Sequence, residues 1–486
     1  MPGSLPLISW GPLLPMLVVT GTGLLILVLD PFTLPAHRNR LGVISLLGVV
    51  AAVATVLAEW GQPEVTFGGM LAADAFGQFF SLVFLLVAGL TLLISMPYVQ
   101  RAGMNYGEYY ALLLFSTLGM MVMANSLDLI TIFLGLETLS ISLYILAGFL
   151  RDQLKSNESA LKYLLLGAFA SGFVLYGIAL VYGACGSTHL RQVAEAVSAG
   201  RVSSPTLLIL GMGLLIIGFG FKVASVPFHM WTPDVYEGAP TSVTAFMIAG
   251  TKAAAFAAFL RILMTALPVL QADWSRVLWV LAVLTMTVGN VVAIAQTNIK
   301  RMLAYSSIAH AGYILVALVA ASTLGSGSVL FYLVAYTFMN LGAFAVVIAL
   351  SRREAERVTI DEYAGLGLKY PFLGAAMSLF MFSLAGIPPT AGFMGKFYIF
   401  SAAIQAKYIG LAIIGVLNSV ISVYYYLRVT VVMYMGQGGE AEPRADRLSP
   451  ALALAVIIAI IGTLQLGLFP SRFLEVALRS VGALLG

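Results

Sequence analysis

The chain consists of long apolar runs interrupted at short intervals by polar turns. Fourteen runs fall near residues 11–29, 42–58, 77–96, 110–125, 129–149, 161–183, 206–226, 240–264, 276–296, 303–322, 328–350, 373–387 (continuing to 404), 409–434 and 450–469. A helix of roughly 17–25 residues, rising about 1.5 Å per residue, crosses a hydrocarbon core of about 30 Å. Membrane strands would alternate apolar and polar positions, and these runs do not alternate. The pattern predicts an all-α integral membrane protein of about fourteen transmembrane helices, a single polytopic domain over residues 1–486.

Two of the runs outgrow a straight crossing. Thr206 to Glu237 and Phe372 to Ala406 would each reach roughly 50 Å as uninterrupted helices. Both hold helix breakers: Pro227 and Pro233 in the first, and Gly386, Pro388, Pro389, Gly392 and Gly395 in the second. These are spans 7 and 12, and an offset of five spans reverses orientation. Two inverted five-helix repeats follow as the expectation, spans 4–8 within 109–270 and spans 9–13 within 271–437, with spans 1–3 over 1–108 and span 14 within 438–486. Broken helices at matching positions of inverted repeats point to a transport site.

Composition agrees with the pattern. The chain is 60% hydrophobic and 9% charged, against about 25% charged in an ordinary soluble domain. The first run lacks a basic leader and a small-residue cleavage site, so it is expected as a retained span. The single cysteine, Cys185, excludes a disulfide framework, an iron–sulfur cluster and a thiolate metal site. Four scattered histidines are too few for several haems.

The net charge of +4 sits in short loops, where it signals topology rather than nucleic-acid binding. Arg38, Arg40, Arg101, Arg151, Lys155, Lys300, Arg301, Arg352, Arg353, Arg357, Lys369, Arg444 and Arg447 follow odd-numbered spans. The opposite side holds Arg191, Arg201, Arg276, Lys407, Arg472 and Arg479. The positive-inside rule then places both termini outside the cytoplasm.

Lys155, Lys300, Lys369 and Lys407 read as loop lysines, whereas Lys162, Lys222, Lys252, Lys396 and Glu137 fall within apolar runs. Each charge at a helix centre costs about 2.5–3.5 kcal/mol on insertion scales. They can hold helices together as ion pairs, or snorkel to the headgroups, as Lys162 near a helix start could. Alternatively they store and transfer protons, because the charge on one shifts the proton affinity of its neighbour. His229, Ser306, Ser307, His310, Tyr313, Asn340 and Ser383 could bond water or pass protons between them. Ser306 and His310, four residues apart, share a helix face. Asn290, Asn340 and Asn418 are expected as interhelical hydrogen bonders.

The ordered stretches KVASVPFHMWTPDVYEGAPTSVTAFMIAGTKAAAF, NIKRMLAYSSIAHAGYIL and GIPPTAGFMGKFYIF resemble the antiporter-like membrane subunits of respiratory complex I. That family extends to subunits of cation/proton antiporters and membrane-bound hydrogenases, and the resemblance covers all fourteen spans. VYEGAP, a lysine in span 12 and the lack of a long lateral helix are most similar to the smallest of the three such subunits in bacterial NADH–quinone oxidoreductase.

The resemblance implies a proton-translocating subunit of the bacterial inner membrane that has no redox centre and binds neither NADH nor quinone. FMN and iron–sulfur clusters would belong to other subunits, and its partners would be other membrane subunits of the complex. Residue by residue, it implies Glu137 paired with Lys222, a central link at Lys252, Lys396 as the exit-side carrier, and Lys162 as an additional lysine. Glu137 would lie near the interface with the next subunit. The buried charges also suit an Mrp-type sodium/proton antiporter, a subunit of a ferredoxin-driven relative, or a scaffold whose charges only fix packing.

Overall fold

Lipid offers no partner for a backbone N–H or C=O, so apolar segments of this length close their hydrogen bonds within themselves as helices. The computed structural model describes residues 9–351, 356–436 and 448–485. Among the described residues, thirteen helices are long and apolar enough to cross a membrane. Spans 1 to 6 are Leu14–Leu29, Asn39–Ala58, Ala75–Arg101, Gly107–Asn125, Leu129–Ala147 and Leu154–Cys185. Span 7a is Pro205–Val223, span 8 is Thr241–Ala266, and spans 9 to 11 are Gln271–Ile294, Ile299–Ala320 and Thr323–Leu350. Span 13 is Ile409–Met435 and span 14 is Pro450–Leu468. The remaining crossing, span 12, is made of two half-helices, 12a (Pro371–Ala385) and 12b (Ala391–Gln405).

Both expected breaks are present, with narrower limits than the prolines and glycines suggested. Span 7a stops at Val223, Ala224 turns left-handed at φ 62°, and span 7b (Trp231–Gly238) follows. Pro227 lies in this break, whereas Pro233 lies in the first turn of 7b, where its missing N–H leaves no intrahelical bond unmade. Span 12a stops at Gly386, whose φ of 88° suits a residue without a Cβ. Pro388 and Pro389 occupy that break, and Gly392 and Gly395 fall inside helix 12b.

Spans 4 and 5 meet backbone to backbone: a Cβ on Gly119 would lie 2.6 Å from the Gly135 carbonyl oxygen. Spans 9 and 10, their counterparts five spans later, meet in the same manner, and a Cβ on Gly312 would lie 2.6 Å from the Met286 amide. Small residues at such crossings replace the missing hydrophobic drive between helices in lipid with close packing.

Three elements lack the length and apolar run of a span and were not expected. Glu64–Thr66 pairs antiparallel with Leu71–Ala73, and amphipathic helices cover Leu190–Ser198 and Pro470–Leu485. Bridges Leu71–Ser126 and Asp128–His189 join the hairpin and the first of these helices to the start of span 5. Span 8 is buried but for the half-buried Thr265 and contains two π-helical turns, Met247–Thr251 and Ile262–Ala266.

Several charges also sit differently from the loop-or-span division. Lys300, read as a loop lysine, is buried, because span 10 begins at Ile299, before the apolar run, and turns this side chain inward. Arg352, Arg353, Arg444 and Arg447 lie outside the described residues. Arg428 donates to the Ile294 and Gln296 carbonyls and so closes the end of span 9.

Arg261, 1% exposed, makes two bonds of 2.7 and 2.8 Å to Asp74, the N-cap of span 3. Removing one member of a buried pair strands the other charge, at about 3–5 kcal/mol. Arg261→Leu should therefore lower the melting temperature of the purified protein in detergent, with Arg261→Leu/Asp74→Asn recovering most of the loss. A single variant that melts like wild type would remove this pair from the structural account.

Candidate functional site

The buried lysines gather where helices end or loosen. At the end of span 12a, Gly386 and Ile387 donate to the carbonyls of Phe382 and Ser383. The last two carbonyls, of Leu384 and Ala385, accept from the Lys396 ammonium at 3.1 and 3.0 Å. Ser419 of span 13 is a third acceptor at 2.9 Å, and the Tyr313 ring lies 4.8 Å from the same nitrogen. A helix C-terminus carries partial negative charge, so span 12b returns a cation to the end of 12a.

Lys222 occupies the last turn of span 7a, where the same dipole favours it. Its ammonium donates to Ser140 of span 5 at 2.8 Å. Glu137, one turn earlier on span 5, accepts from Ser171 of span 6. Glu137 and Lys222 thus approach one patch, but each ends on a serine rather than on the other. Nor is Glu137 deeply buried: it sits half-buried among the exposed Leu134 and Ile141.

Lys252 follows the first π turn of span 8 and donates to the carbonyl and, at 3.0 Å, to the hydroxyl of Ser307 on span 10. One turn on, both nitrogens of His310 face tyrosines: Tyr426 at 2.9 Å from Nε2 and Tyr332 at 2.7 Å from Nδ1. Ser306 shares this face and bonds the same Tyr426 hydroxyl. Asn290 then donates to Tyr313 and Asn418 and accepts from Tyr425. Spans 9, 10 and 13 are thereby tied together beside Lys396. Hydroxyls and imidazole both donate and accept, so this file can hand a proton on.

Other candidates lie apart. Lys162 is well inside the helix of span 6, yet its side chain is 39% exposed and pairs with Glu158 at 2.6 Å and Asp234 at 2.7 Å. Arg301 joins Asp234 and Glu237, and Lys155 joins Glu237, completing a rim cluster. His229 stands half-buried in the first break with Nδ1 unpartnered. Ser383 accepts from the Gly392 amide and donates to Met339 sulfur, so it bridges the second break. Asn340 is not an interhelical bonder: it donates to its own helix at Tyr336, and its Oδ1 lacks a partner.

The sequence reading named Ser307 but missed Tyr332, Tyr425, Tyr426 and the serine acceptors Ser140 and Ser419. Within apolar runs tyrosine looks like bulk, and only its hydroxyl contacts distinguish it. The Lys300–Glu356 pair, at 3.5 Å, was also missed.

A family model described as NADH:quinone oxidoreductase/Mrp antiporter, TM, matches residues 126–422. NADH-quinone oxidoreductase subunit N of Trichlorobacter lovleyi is 52% identical over 474 residues, covering 98% of this chain and 97% of that one. A chain of respiratory complex I from Thermus thermophilus, solved with bound aureothin, is 37% identical with a TM-score of 0.80, covering 95% of this chain and 98% of that one. A chain of the Mrp complex from a Dietzia species reaches a TM-score of 0.85 at 21% identity, covering 99% of this chain and all (100%) of that one, a likeness of fold alone.

Tyr426→Phe should leave His310 and Ser306 short of a partner and cost about 1–3 kcal/mol. Thermal unfolding in detergent measures it, with Tyr424→Phe, an exposed neighbour, as the variant expected to melt like wild type. Equal melting of both variants would show that the Tyr426 hydroxyl bonds nothing of consequence.

Proposed function

This chain belongs to the family of NADH-quinone oxidoreductase subunit N, and on that premise we propose that Glu137, Lys222, Lys252 and Lys396 carry protons through it. It is a multi-pass, proton-translocating membrane subunit of complex I, in which electron transfer from NADH to quinone takes place elsewhere. Other membrane subunits of the complex are its partners. In this reading the chain holds no redox group of its own, and FMN and iron–sulfur clusters reside on other subunits. It sits in a bacterial inner membrane with both termini outside the cytoplasm, and spans 4–8 and 9–13 act as two inverted units.

The observation that supports these residues is the company kept by three lysines. Lys222, Lys252 and Lys396 are 6%, 1% and 4% exposed, and their ammonium groups rest on hydroxyl and carbonyl oxygens. A lysine serving only to fix helices would bring a carboxylate with it, since an uncompensated buried charge is costly. None of the three forms a direct ion pair, Glu137 standing near Lys222 without bonding it, so the charge can come and go with a proton.

Glu137 tunes Lys222 from the neighbouring turn and marks the face toward the next subunit. His310 relays between Lys252 and Lys396, while Lys162 and His229 flank the path at its rim. The scaffold reading explains the paired charges of the rim and leaves the unpaired lysines without a reason. The Mrp-type reading rests on a shared fold.

The test is NADH-driven proton pumping by the assembled complex in vesicles, with Lys222→Ala compared with wild type at equal assembly. Pumping and coupled quinone reduction should both fall, on the order of tenfold or more. Normal pumping with normal turnover would make Lys222 a structural residue and refute this path.

A further inference from the structure

Glu356, just after span 11, is a carboxylate held by three separate spans. Its Oε1 accepts from the Tyr98 hydroxyl of span 3 at 2.6 Å and from the Thr241 hydroxyl of span 8 at 2.7 Å. Its Oε2 lies 3.5 Å from the buried Lys300 ammonium of span 10, which also donates to the Ala239 carbonyl at 2.8 Å. The side chain is 30% exposed, so one face meets the cation-rich loop side and the other meets interior hydroxyls.

Thr241 opens span 8, the helix that carries Lys252, and Thr244 one turn later donates to the Tyr236 carbonyl of span 7b. The hydroxyls of Tyr236 and Tyr336 are completely buried, and neither has a hydrogen-bond partner in the protein. Thr251 lies near Tyr236, Ser307 and Asn340 lie near Tyr336, and the two tyrosines lie near each other. Ser307 is the residue on which Lys252 rests. A hydroxyl both donates and accepts, so each of these can take one proton while giving up another.

We propose that Glu356 is the proton inlet on the cation-rich side and that it supplies Lys252 through Thr241, Tyr236, Tyr336 and Ser307. The carboxylate takes a proton from water and passes it to the first hydroxyl. Each hydroxyl gains one proton as it releases its own, and the uncharged amine of Lys252 receives the last. No electron moves and no bond other than O–H or N–H changes.

The other groups around Glu356 suit this role. Among the described residues Lys300 is the cation that pairs with it, and Tyr363 and Arg357, from the segment that follows it, lie near. Burial pushes its carboxyl up, but Lys300 and the two hydroxyl donors outweigh burial and hold it below the ordinary carboxylate value. The group is therefore anionic at neutral pH and attracts protons to the inlet.

This inference rests on the proposed function, and the experiment separates the two. NADH-driven proton uptake is followed in inside-out vesicles for wild type, Glu356→Gln, Glu356→Asp, Tyr336→Phe and Lys252→Ala at equal assembly. Glu356→Gln keeps an acceptor for Tyr98 and Thr241 but cannot carry the proton. Its uptake should fall on the order of tenfold and recover in part as the outer medium is acidified. Glu356→Asp should keep most of the rate, and Tyr336→Phe should lose it without recovery in acid. Lys252→Ala inactive beside a fully active Glu356→Gln would overturn the inlet alone. Glu356→Gln and Glu356→Asp equally impaired at every pH would reduce Glu356 to a structural contact and also overturn it. A fully active Lys252→Ala would overturn the function on which the inlet depends.

Discussion

A backbone polar group that enters lipid must be satisfied by the chain itself, and the end of span 12a shows how this constraint is met. A helix broken in mid-membrane exposes its last carbonyls with no water to receive them. Here the Leu384 and Ala385 carbonyls are satisfied by the ammonium of Lys396, returned from the other half of the same span. The break and the cation therefore depend on each other. If the break closed into continuous helix, the lysine would lose its acceptors. If the proton left the lysine, the interaction that steadies the two carbonyls would weaken. Under the proposed function, protonation and helix geometry would be coupled at this one nitrogen.

The first repeat meets the same constraint with different residues. Span 7a ends with the Phe221 carbonyl accepting from the Trp231 indole at 3.0 Å, while Lys222 reaches sideways to Ser140 instead of capping the break. The lysine there is freer of its own helix and closer to Glu137. Equivalent positions in the two halves are therefore unequal sites, one reaching a serine beside a neighbouring carboxylate and one locked into a helix end. An inverted pair of halves with unequal sites has a direction, which two identical halves would lack.

Most of the architecture was legible in the sequence because lipid imposes a length and a polarity that few arrangements satisfy. The fourteen crossings, the two breaks and the shared face of Ser306 and His310 follow from apolar runs, helix breakers and helical spacing. What escaped was set by contacts. Lys300 looked like a loop cation because its apolar run begins at residue 303, but the helix starts at Ile299 and carries the side chain inward. Asn340 resembles Asn290 in type and setting, yet only Asn290 has tyrosines and an asparagine facing it. The hairpin and the two amphipathic helices are too short or too polar to register among long hydrophobic runs.

The charges divide by the partner each one found. Arg261, Arg301, Lys155 and Lys162 rest on carboxylates, which hold a cation in place because separating the pair in a poorly polarisable surrounding is costly. Lys222, Lys252 and Lys396 rest on serines, by way of Ser140, Ser307 and Ser419. A serine hydroxyl can accept from an ammonium and, after rotating, donate to the free amine. It satisfies the lysine in both of its states, whereas a carboxylate favours only one. In a membrane interior a serine opposite a lysine is therefore a poor choice for stability and a good one for proton transfer. A serine hydroxyl recurs at all three lysines, joined by backbone carbonyls at Lys252 and Lys396, and this recurrence is what the proposed function would use.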